Sequence, residues 1–126
     1  MQPIAITGLG LVCPLGNSVP VALAAARRGE SGIRRYTSPW VDAAHPHLRE
    51  RVGGTVVDFD AGDLIDPKFA ARQEPAVLFA LAAVAEALRQ AGLPDDGDRG
   101  RIGCVIGAGL AGAELWHRAL HTAYAA

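Results

Sequence analysis

The chain predicts an α/β fold with the element order β-α-β-α-β-α and a mostly parallel sheet. Three observations carry this. Short apolar segments bounded by turn residues recur at 3–7, 52–59 and 101–106. Alanine- and leucine-rich segments with helix start and stop signals follow them in alternation, the pattern of strands crossed over by helices. Half of the 126 residues are hydrophobic, 20% are charged and the formal net charge is −1, which excludes a disordered chain. The same balance leaves no basic footprint for nucleic acid or an anionic membrane surface.

Each element has a local reason. Residues 3–7 (Pro-Ile-Ala-Ile-Thr) are apolar and end at Gly8, as a buried strand does. Gly8, Gly10, Pro14 and Gly16 then make a tight loop. Asn17 or Ser18 can cap a helix with Pro20 in its first turn, Arg27 and Arg28 in its last, and Gly29 as its stop. Residues 31–51 lack a period and read as an irregular surface excursion. Residues 52–59 read as a strand weakened at its start by Gly53 and Gly54. Residues 60–73 read as a loop with a short helix. The segment 75–90 is the strongest helix: Pro75 suits the first turn, Gly92 the left-handed stop, and Pro94 blocks continuation. Residues 76–85 are apolar all round, so this helix is expected to be buried on most sides, with Glu86, Arg89 and Gln90 marking a wet end. After a polar turn at 94–100 come a buried strand at 101–106, a glycine loop at 107–112 and a helix at 113–124. That last helix carries no Gly, Asn or Pro stop, which reads as a chain cut mid-fold.

The apolar N-terminal run has no Lys or Arg ahead of it and is broken by Gly8, Gly10 and Pro14, so it is not read as a signal peptide. The longest other apolar run, 75–85, is far short of the 18 or so residues of a membrane span. Two cysteines are too few for a disulfide framework, which points to a reducing, cytoplasmic setting.

Four motifs bear on chemistry. Residues 107–112, Gly-Ala-Gly-Leu-Ala-Gly, fit G-x-G-x-x-G between a strand and a helix, the pattern that cradles a pyrophosphate. The acidic residue expected about 20 positions later falls beyond the sequence; the plain alternative is a turn that lets strand and helix pack closely. Glu114, His117 and His121 share one helix face and could ligate a metal, or form a partly exposed polar stripe. Cys13, in the first glycine loop just before a helix, could have an activated thiol, whereas Cys104 in mid-strand is expected to be a small buried hydrophobe. Structural roles are favoured for both cysteines, because a nucleophile needs a histidine beside it. Lys68 and Arg72 stand at helical spacing and could form a small basic patch for a phosphate or an acidic partner.

Five ordered blocks together resemble the N-terminal part of a β-ketoacyl-ACP synthase, of the thiolase-like condensing-enzyme family. They are Ile4 to Asn17 with its TGxGxxxPxGN loop, Gly29-Glu30-Ser31-Gly32-Ile33, Val52-Gly53-Gly54 through Val57-Asp58-Phe59-Asp60, Ala80 to Ala91-Gly92-Leu93, and Arg101 to Gly112. The resemblance spans residues 1–126, which it makes the N-terminal portion of a ketosynthase-like domain several times longer. It implies a thiolase-like layered fold and a decarboxylative Claisen condensation in fatty-acid or polyketide synthesis, with an acyl carrier protein as partner and a homo- or heterodimer. It implies no cofactor and no metal. The family's nucleophilic cysteine and both histidines lie beyond this segment, so it implies no catalytic residue here, and Cys13, His117 and His121 inherit no such role. It implies carrier-protein docking for Lys68 and Arg72, with a third basic family position occupied by Ala71, and an acyl-pocket position for Leu110. Two other readings stand beside it: a non-catalytic partner of chain-length-factor type, and a small dinucleotide-binding module.

Overall fold

The computed structural model describes residues 3–35, 37, 47, 51–93, 100, 102–109 and 112–124, with only the backbone of Asp63 and Glu114. The elements in order are α1 (Val19–Arg27), β1 (Ile33–Arg35), β2 (Val52–Gly54), a 3-10 turn (Gly62–Leu64), α2 (Pro67–Ala70), α3 (Pro75–Ala91) and α4 (Ala113–Tyr124).

The helices follow their signals. α1 has Ser18 at its N-cap and Pro20 in its first turn, and Gly29 takes the left-handed conformation just past its end. α3 starts at Pro75 and ends on Gly92 at φ 63, a backbone state that costs glycine little. Asp66 caps α2, its Oδ1 accepting from the Lys68 and Phe69 N–H groups at 2.9 and 3.0 Å. α4 spans the residues its sequence predicts.

The sheet departs from expectation. The only sheet among the described residues is a two-stranded antiparallel one, pairing Ile33 with Gly54 and Arg35 with Val52. β1 thus lies inside the segment expected to be irregular; residues 36, 38–46 and 48–50 of that segment are outside the described residues. Of the strand expected at 52–59 only its first three residues pair. Beyond them the chain turns at Asp58, φ 50, where the Asn17 amide donates to the carbonyls of Val57 and Asp58 at 3.0 and 3.1 Å. The segments expected to be parallel strands, 3–7 and 101–106 (of which residue 101 lies outside the described residues), have no ladder partner among the described residues. Ile4 is 95% exposed and Val105 99%. A strand gains its stability from a paired ladder and a covered face, and here neither segment has either.

Packing is correspondingly thin. The buried hydrophobic residues among those described are Ala22, Ala25 and Ile65. No residue of α3 is buried, contrary to the expectation for so apolar a helix. One side of α3 is covered by the glycine loop, and Phe79 meets Phe59 edge to face at 4.9 Å between centroids. Val77, Leu81, Val84 and Leu88, spaced to share another stripe of the helix, stay open to solvent.

Candidate functional site

The best-organised region is the first glycine loop, held between α1, α3 and the β1–β2 pair. Its backbone lies directly on α3: a Cβ at Gly8 or Gly10 would overlap the carbonyl oxygen of Ala87 or Ala83. Three N–H groups are then served by two α3 side chains. Leu9 donates to Gln90 Oε1 at 2.5 Å and Leu11 to Glu86 Oε2 at 3.0 Å. The Val19 N–H, at the start of α1, donates to both Glu86 oxygens at 2.9 and 3.2 Å. Ser18 makes no side-chain cap, so Glu86 caps α1 from a distance and places negative charge at the positive end of the helix dipole. Arg89 and Gln90 are exposed, as the expected wet end of this helix requires, while half-buried Glu86 and the Gln90 side chain also reach back onto the loop. The sequence signal that could have found them is their position, one turn apart, at the end of an otherwise apolar helix.

On the other side of the loop, the Arg34 guanidinium donates to the Pro14 carbonyl at 3.1 Å. Cys13 exchanges two backbone hydrogen bonds with Gly16, both 3.0 Å, closing the turn. Its free, half-buried thiol lines a cavity of about 370 Å³ with Pro14, Asn17, Ser18, Arg34 and Asp58. No histidine is among the cavity's described lining, so among the described residues Cys13 has no histidine base beside it there. Cys104 is free and exposed, not buried as expected, because the segment carrying it is uncovered.

The other sequence candidates fall in separate places. Lys68 lies on α2, and Arg72 in the turn that extends it, its N–H donating to the Phe69 carbonyl at 3.0 Å; both residues are exposed. Arg72 lines a groove of about 660 Å³ between residues 71–74 and α4, whose other charged lining residues are Glu74 and Arg118. Leu110 and Ala111 are outside the described residues. Of the second glycine loop, Gly107 and Gly109 have no neighbour within 4 Å of a would-be Cβ, and Gly112 enters α4 at φ 86. His117 and His121 stand 6.2 Å apart between ring centroids. Among the described residues no three His, Cys, Asp or Glu side chains gather as a metal site, and the Glu114 side chain is not among those described. No helix among the described residues is long and apolar enough to cross a membrane.

Residues 1–125 match the family described as β-ketoacyl synthase, N-terminal domain. The chain belongs to the β-ketoacyl synthase family. Its similarity to individual synthases runs along nearly the whole chain. It is 32% identical over 119 residues to the 3-oxoacyl-[acyl-carrier-protein] synthase 2 of Rhizobium meliloti, covering 90% of this chain and 28% of that protein. It is 33% identical over 114 residues to the protein of the same name from Staphylococcus aureus, covering 90% and 27%. The Vibrio harveyi protein of that name is 31% identical over 113 residues, covering 89% and 26%. The chain thus spans about a quarter of the length of these β-ketoacyl synthases.

Proposed function

We propose that this chain is the N-terminal portion of a 3-oxoacyl-[acyl-carrier-protein] synthase-like domain and serves it as scaffold and docking surface. In the whole domain, an acyl group is passed from a carrier-protein thioester to a cysteine that lies beyond this chain. A malonyl thioester loses carbon dioxide, and the resulting carbanion forms the new carbon–carbon bond at the acyl carbonyl, releasing the cysteine thiolate. The products serve fatty-acid or polyketide synthesis. The observation that carries this reading is the match of residues 1–125 to the family's N-terminal domain. The uncovered apolar segments support it. Ile4, Ile6, Val105 and Ile106 are all more than half exposed, which suits strands awaiting neighbours in a parallel, layered sheet.

Within that reading each residue has a physical task. Lys68 and Arg72 present cations to an acidic acyl carrier protein. Leu110 supplies an apolar wall to the acyl pocket. The glycine loop, held by Glu86 and Gln90, keeps the chain that follows residues 3–7 against α3. The whole protein works in the cytoplasm as a homo- or heterodimer.

The test is acyl transfer followed by intact-mass spectrometry. The isolated chain, incubated with acyl-carrier protein or acyl-CoA, is expected to gain no acyl mass. The full-length protein that contains it is expected to gain one acyl group on a cysteine outside residues 1–126. A stoichiometric adduct on Cys13 would overturn the proposal.

A further inference from the structure

Beyond the scaffold and docking roles, we propose that His117 and His121 on α4 chelate one divalent cation of the imidazole-preferring class, Cu²⁺ or Zn²⁺. They lie 4 positions apart (121 less 117), so they stand one turn apart on the same side of the helix. This is the spacing at which two helical histidines meet on one metal ion. Their ring centroids are 6.2 Å apart, with the planes tilted by 45°. Ring nitrogens about 2.0–2.1 Å from a shared ion place the two centroids roughly 4.5–6.5 Å apart. The observed pair lies at the open end of that range, and a small rotation about the soft outer torsion of histidine brings both rings onto the ion.

The amphipathic pattern of α4 keeps this pair accessible. His117, Arg118, His121 and Thr122 fall on one arc of the helix, and Leu115, Trp116, Leu120 and Tyr124 on the opposite one. The remainder of a synthase, of which this chain spans about a quarter, gains by covering the apolar arc and leaves the histidine arc to solvent. Both histidines are exposed. The donor set selects the ion. Imidazole suits Cu²⁺ and Zn²⁺, whereas Ca²⁺ and Mg²⁺ need several oxygen ligands. Arg118, on the same arc, is itself a cation, so binding comes from nitrogen donation and not from a pool of negative charge. Among the described residues no third His, Cys, Asp or Glu side chain joins the pair, which leaves coordination positions for water. An ion held across one turn also ties down the C-terminal half of α4, because it binds the helical arrangement and not an unwound one.

The experiment is calorimetric titration of Cu²⁺ and, separately, Zn²⁺ into the full-length protein that contains this chain. The unmutated protein is expected to bind one equivalent more of either ion than H117A or H121A does, with Cu²⁺ the tighter of the two. The electron paramagnetic resonance spectrum of that Cu²⁺ equivalent is expected to show coupling to imidazole nitrogen, and both single variants are expected to lose it. The double variant H121A/T122H keeps two histidines but moves the second away from His117 around the helix, so it is expected to bind no better than H121A. H117Q and H121Q give the same test if the alanine variants melt early. Unchanged stoichiometry in the single variants, or unimpaired binding by H121A/T122H, overturns the inference, as does an unmutated protein that takes up neither ion. None of these outcomes bears on acyl transfer or carrier-protein docking, so the proposed function stands or falls separately.

Discussion

Glu86→Ala tests the arrangement that holds the glycine loop. The substitution removes the acceptor of two backbone N–H groups, Leu11 and Val19, which lie 8 positions apart in sequence (19 less 11) and meet on one carboxylate. A hydrogen bond to a charged group contributes about 1.5–3 kcal/mol when well shielded. Here the Leu11 bond is exposed and the Val19 bond part-buried. With solvent screening about 1 kcal/mol each is a reasonable value, so about 2 kcal/mol is lost in all. Alanine's better helix propensity returns only a few tenths, roughly, at position 86. A local loss of about 2 kcal/mol corresponds to about a thirtyfold fall in amide-exchange protection. Native-state hydrogen exchange of the full-length protein, resolved at Leu11 and Val19, is the assay. Glu86→Gln keeps one carbonyl oxygen without the charge and is expected to give about half the loss, roughly 1 kcal/mol. Gln90→Ala is the control, raising exchange at Leu9 and leaving Val19 unchanged, because Gln90 accepts from the Leu9 N–H whereas Val19 donates to Glu86. Unaltered protection at both Leu11 and Val19 in Glu86→Ala would refute the remote cap.

Other consequences follow from the same contacts. Gly10→Ala forces a methyl into the Ala83 carbonyl and is expected to destabilise the full-length protein by about 1–3 kcal/mol, read as a lower urea midpoint at unchanged slope. The isolated chain, with Ile4, Val105, Trp116 and the α3 stripe open to solvent, is expected to bind a hydrophobic dye and to melt without a cooperative transition. A compact, cooperatively melting monomer would contradict that expectation. The Arg28 guanidinium, hydrogen-bonded and close to Glu30, holds the Glu30 carboxyl below the usual carboxylate range. A lowered folded-state value means that any stabilisation is present above the unfolded carboxyl's pKa and is lost as pH falls through the folded one. Arg28→Gln should therefore move the Glu30 titration upward by NMR, and no movement would remove the pairing.

The helices were legible because their signals are local. Pro20 with Gly29, and Pro75 with Gly92, act within a turn or two of the backbone they start and stop, so α1, α3 and α4 lie close to where propensity and end signals put them. The family was legible for a related reason: five ordered blocks carry far more information than any one glycine motif, and residues 1–125 match as a unit.

Strand pairing and contact partners depend on residues far apart in the chain, and those only the tertiary structure decided. The Ile33–Arg35 strand has no apolar alternation to reveal it; its partner 52–54 makes it a strand. Glu86 looks like a solvated helix end until the loop's N–H groups are seen to converge on it. Arg118 joins Arg72 only because α4 lies across the groove from residues 71–74. Composition and periodicity report what each segment would bury, whereas distance in space determines which acid meets which amide and which cation faces which wall.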